Sequence, residues 1–148
     1  MPNISKLKKA VRNGNLSPIV MDFDCPTTLD LIEAIILLSF LSKFIIVDLT
    51  NPKSVPAELQ AILSTLMIPV VPIIRQNRKP HSSFSFASKF KWVLPILEYE
   101  KIEDIEQAFE EAILGPATKM YNEICAIKKN QPTILKAKDF QKKGIMAK

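Results

Sequence analysis

A chain of 148 residues that is 47% hydrophobic and 24% charged can bury one core and is not a disordered tail. Its two cysteines, Cys25 and Cys125, stand far apart without CxxC spacing, which excludes a cysteine metal site and a disulfide framework and makes a reducing cytoplasm the expected setting. The net charge is +5, and three glycines in all exclude a glycine-rich phosphate cradle of the Rossmann or P-loop type.

The opening residues are polar and basic without an apolar centre, so no secretory signal is expected. Ile4 to Val11 reads as a short amphipathic helix ended by Asn13-Gly14-Asn15, with Gly14 as a left-handed cap. Ile19 to Phe23 reads as the first strand. Asp24 to Thr27 is a loop, because Pro26 cannot continue a central strand. Thr27 or Thr28 can cap the helix expected from about Leu29 to Leu41, and Asp30 suits its positive end.

That helix is apolar nearly all round: Leu31, Ile32, Ile35, Leu38 and Leu41 make a stripe, and Ile36, Leu37 and Phe40 fill other faces. It should pack against the sheet and against a second surface such as a partner chain. Asp30, Glu33, Lys43 and Asp48 interrupt the apolar stretch too often for a membrane span.

Phe44 to Leu49 is a continuous apolar run, as in a strand covered on both faces. Asn51-Pro52 turns the chain, and Ser54 and Pro56 open a helix with Leu59, Ile62, Leu63 and Leu66 on one face. Val70 to Ile74 is the third strand, and Pro72 inside it predicts an edge position or a bulge. Gln76 to Lys91 is a long polar loop pinned by Phe84, Phe86 and Phe90. Trp92 to Leu97 is the fourth strand, followed by helices over Ile102–Leu114 and Thr118–Ile127, broken near Gly115-Pro116. Alternating strands and helices predict an α/β fold with a parallel sheet. Residues 1–127 read as one domain and residues 128–148 as a basic, flexible tail; no aromatic interleaving accompanies its lysines, so neither a nucleic-acid nor a membrane partner is expected.

In a parallel sheet this order brings Asp22, Asp24, Asp48, Thr50 and Glu58 toward the carboxyl edge of the strands, where such folds bind ligands. Clustered acids there suit Mg²⁺; equally, Asp48 can cap its loop and Asp24 can start the turn before Pro26. Asp22-Phe23-Asp24 falls short of the DxDx(T/V) nucleophile motif of haloacid-dehalogenase-like phosphatases, because Pro26 holds the last position. No metal site is assigned. Glu58 lies in the first turn of its helix, where the helix end alone stabilises a carboxylate by roughly 0.3–1 kcal/mol. His81 reads as a loop histidine, with no nucleophile beside it.

The run MDFDCPTTLDLIEAIILLSFLSKFIIVDLTNPKSVPAELQAIL, with PVVPII and KWVLPILEYEKIEDIEQAF after it, resembles the Toll/interleukin-1 receptor (TIR) domains, in particular those at the ends of some bacterial multidomain proteins. The resemblance covers about Leu16 to Leu114. It implies a flavodoxin-like sheet whose first strand, which would precede Val11, this chain lacks. It makes Asp24, Cys25, Pro26, Thr27 and Thr28 the loop used for self-association. It also implies that Glu58 matches the catalytic glutamate of members that cleave NAD⁺ at the nicotinamide–ribose bond, with Asp24, Pro26 and Thr50 beside the substrate. The leading expectation is therefore a signalling and assembly module binding a second copy or another TIR-like domain, with no cofactor. The alternative is an NAD⁺ glycohydrolase in which NAD⁺ is the substrate.

Overall fold

The computed structural model describes residues 2–21, 29–51, 55–130 and 132–140. Among them, three strands form one all-parallel sheet in the order β1 (Ile45–Asp48), β2 (Val70–Arg75), β3 (Leu97–Tyr99). Helices flank both faces: α1 (Pro2–Asn13), α2 (Leu29–Phe40), α3 (Val55–Thr65), α4 (Ile102–Ala108) and α5 (Gly115–Lys129). The architecture is flavodoxin-like α/β.

Side-chain alternation along β2 divides the core. Val71 and Ile73 point to one face, where they meet Ala10 of α1, Tyr99 of β3 and Ile102, Ile105, Phe109 and Ile113. Val70 and Ile74 point to the other, against Leu59 and Leu63 of α3 and Phe84 and Ala87 of a 3₁₀ segment, Ser82–Lys89. A third cluster, Ile35, Ile62 and Ile68, fastens α2 to α3. Both faces of β2 are therefore covered, which is why its sequence is continuously apolar rather than alternating.

Pro72 sits in the central strand, not at an edge, and pairs with Val47 in the β1–β2 register. Strand parity explains the tolerance. Pro69 and Ile73 accept from β1, through the amides of Ile45 and Leu49, whereas Val70 bonds the other way, donating to Trp92 and accepting from Leu94. Residue 72 shares the parity of residue 70, so its missing N–H faces β3. There the ladder is interrupted: a bridge at Val70↔Val93 is followed by no strand pair until Ile73↔Leu97. The same interruption shortens the strand expected over Trp92–Leu97, which starts only at Leu97.

Three further expectations are corrected. Ile19 to Met21 belong to no strand, and Phe23 lies outside the described residues. Ile19 and Val20 point to solvent and only Met21 packs inward, on the α2–α3 cluster, so this apolar run lacks a face to bury. The left-handed residue after α1 is Asn15, with φ 59°, not Gly14. Gly14 is needed for room: a Cβ there would stand 3.3 Å from Leu114 Cδ2 and 3.3 Å from Phe109 Cε1. Nor do Gly115-Pro116 break the helix. Phe109–Leu114 forms a π-helical segment between α4 and α5, closed by the Gly115 N–H donating to the Glu110 carbonyl. The wider turn accepts a proline that would otherwise remove a donor and clash with the carbonyl four residues back.

Candidate functional site

The carboxyl ends of all three strands meet in one polar cluster. β1 ends on Asp48, whose Oδ1 accepts from the Thr50 backbone N–H at 2.9 Å and from Thr50 Oγ1 at 2.5 Å. This is the local capping turn that an aspartate at a strand end favours. Thr50 Oγ1 in turn accepts from the Arg75 N–H at 3.0 Å, where β2 ends. Tyr99, the last residue of β3, donates its hydroxyl to Asp48 Oδ2 at 3.3 Å and stands 3.5 Å from Thr50 Oγ1. The Gln76 N–H donates to the Tyr99 carbonyl at 2.7 Å, which closes the circuit.

The ring of Tyr99 belongs to the core, and only the hydroxyl reaches the rim. Burial pushes the Tyr99 pKa up; the hydrogen bond with Thr50 opposes this, and the charge of Asp48 and the bond to it add to the rise. The Tyr99 hydroxyl therefore stays protonated and donates over the whole neutral range. Asp48 accepts three hydrogen bonds, and the Thr50 hydroxyl is engaged on both its donor and acceptor sides. The cluster is a clasp across three strand ends, with the exposed Arg75 beside it.

The resemblance-derived residues fall unevenly on this geometry. Thr50 is at the rim, its hydroxyl held by Asp48 and the Arg75 amide. Residue 58 is the fourth of α3, in the helical turn that follows the carboxyl end of β1. Asp22, Asp24, Cys25, Pro26, Thr27 and Thr28 lie outside the described residues, and so does any contact between that loop and Glu58. Among the described residues no group of three or more His, Cys, Asp or Glu side chains could hold a metal ion. Tyr99 and Arg75 were not singled out from the sequence. The signal for Tyr99 was its place two residues after Leu97, which puts both side chains on the helix-covered face and the hydroxyl at the strand's end.

A second, apolar hollow opens at the opposite, amino-terminal edge of the sheet, lined by Met67, Trp92, Met120, Ile124 and Ile127, with Lys91 and Glu123 3.8 Å apart among its lining residues. Trp92 Nε1 is buried there without a hydrogen-bond partner. No protein-family model, no curated protein and no solved structure matches this chain.

Proposed function

We propose that the chain is a TIR-like assembly module that works by pairing with a second copy of itself through α2. The observation that carries the reading is the split character of that helix. Ile35 is buried against α3 and Ser39 is buried too, but Leu37, Phe40 and Leu41 are 61%, 68% and 70% exposed. Spaced at i, i+3 and i+4, they form one outward stripe. Together they leave on the order of 400 Å² of apolar surface in water, comparable with the largest patch of an ordinary monomer. A two-fold axis beside the stripe would place it against its own copy, as an isologous interface requires. The resemblance to TIR-like domains supports this, because the loop it assigns to self-association, residues 24–28, leads directly into α2.

Light scattering coupled to size-exclusion chromatography tests the reading. The parent chain should show a mass rising with concentration toward the dimer, and Phe40→Asp with Leu41→Asp should return it to monomer without loss of folded stability. A parent chain that stays monomeric at the highest concentrations would reject it.

The alternative, NAD⁺ cleavage, is favoured by one feature. The first turn of α3, which carries Glu58, follows the strand end where Asp48 and Thr50 sit. In this reading Glu58 would stabilise the oxocarbenium-like ribosyl centre.

A further inference from the structure

The excess positive charge is confined to the last quarter of the chain. Residues 115–148 carry eight lysines against two acids, Glu123 and Asp139, and residues 1–114 are close to neutral. A solvated basic tail would set small polar residues between its lysines. Here four large apolar residues stand among the lysines and face water: Ile127, Ile134, Leu135 and Phe140 are 46%, 86%, 69% and 55% exposed. Lys128, Lys129, Lys136 and Lys138 are exposed beside them. None of these four apolar side chains belongs to a core cluster.

We propose that residues 127–140 dock on the surface of an anionic phospholipid bilayer. The lysines would lie over the headgroups, and Ile134, Leu135 and Phe140 would enter the acyl boundary. Two observations select this occupant. Clusters of about 4–8 basic residues are attracted to an anionic leaflet, and this stretch with the lysines after it falls in that range. A nucleic acid would satisfy the lysines, but its charged backbone offers Ile134 and Leu135 no continuous apolar phase, which the acyl boundary of a bilayer does. Attachment is peripheral: among the described residues no helix is long and apolar enough to cross a membrane. The exposure of the apolar residues, invisible in composition, is what departs from a plain solvated tail, and the inference is independent of α2 and of the strand-end clasp.

The test is co-sedimentation of the full chain with vesicles of phosphatidylcholine alone, or with about one third phosphatidylserine. Binding should appear with the anionic vesicles, be at least about tenfold weaker without phosphatidylserine, and fall steeply with salt. Ile134→Asp with Leu135→Asp should weaken it about tenfold, as should replacing Lys128, Lys129, Lys136 and Lys138 by Ala. The same loss of charge at Lys9, Arg12, Lys79 and Lys89 should leave it intact. All these side chains are exposed, so an unchanged unfolding midpoint certifies each variant as folded. Equal binding to both vesicles, binding unaffected by Ile134→Asp with Leu135→Asp, or a tighter complex with single-stranded RNA than with vesicles would each overturn the proposal.

Discussion

Tyr99→Phe isolates the contribution of the strand-end clasp. The ring stays in the core, where Tyr99 is 5% exposed, so only the hydroxyl is lost. A hydrogen bond to a charged acceptor is worth roughly 1.5–3 kcal/mol when well formed. At 3.3 Å the Tyr99–Asp48 bond is longer than the ideal for a hydroxyl and a carboxylate, and Asp48 is exposed enough for water to replace the lost donor. Both facts lower the expected loss to about 1 kcal/mol, or about 2–4 °C in Tm for a chain of this size. The pH dependence gives a second readout. The folded pKa of Tyr99 is raised, so folding favours the protonated hydroxyl. That term is fully present below the ordinary tyrosine pKa of 10.0 and is lost as pH rises through the raised folded value. The stability gap between parent and variant should therefore be constant through neutral pH and close above pH 10. Tyr121, also raised chiefly by its hydrogen bond with Cys125, is present in both proteins and cancels in the difference. Urea unfolding followed by circular dichroism at a series of pH values measures both. A variant as stable as the parent at pH 7, or a gap that widens in alkali, would refute the clasp.

Gly14→Ala should destabilise by about 1 kcal/mol, read as a lower urea midpoint at unchanged slope, because the new methyl group presses on Leu114 and Phe109. Ile113→Ala, at a fully buried site of the π-helical segment, should cost about 3–4 kcal/mol in the same assay. If the chain cleaves NAD⁺, nicotinamide release by an assembled preparation should vanish in Glu58→Ala; release no greater than that of the variant removes the enzymatic reading. Thr50→Val, which removes both the donor to Asp48 and the acceptor for Arg75, should cost more than Tyr99→Phe, and the two should be non-additive in a double-mutant cycle because they share Asp48.

What could be read from the sequence was whatever a single segment decides for itself. The β-branched run Phe44–Leu49 gave β1, and Val70–Ile74 gave β2, because strands buried on both faces carry unbroken apolar residues. The helix expected from about Leu29 to Leu41 followed from its cap and its apolar length, and the one opened by Ser54 and Pro56 from the spacing of Leu59, Ile62, Leu63 and Leu66. What depended on a distant partner was not legible. Ile19 and Val20 look like a strand yet point to water, since the sheet offers them no place among the described residues. Pro72 suggested an edge or a bulge: the ladder does slip by one residue beside it, between Val70↔Val93 and Ile73↔Leu97, but its place in the central strand, where parity relative to two neighbours makes its missing donor harmless, exists only once the strands are paired. The candidate site divides the same way. Asp48 as a loop cap is local and was foreseen, whereas Tyr99 joins it across 51 positions of chain.

The two ladders of the sheet are unequal in a way that sets an order of failure. β1 is joined to β2 by four successive pairs without a gap, from Ile45↔Val70 to Asp48↔Ile73. β3 is joined to β2 by three pairs, all beyond the proline, and before it only the isolated bridge Val70↔Val93 links β2 to the segment that leads into β3. The β2–β3 ladder is thus the shorter seam, where local opening is expected first, and the β1–β2 pair with α3 is the part expected to outlast it.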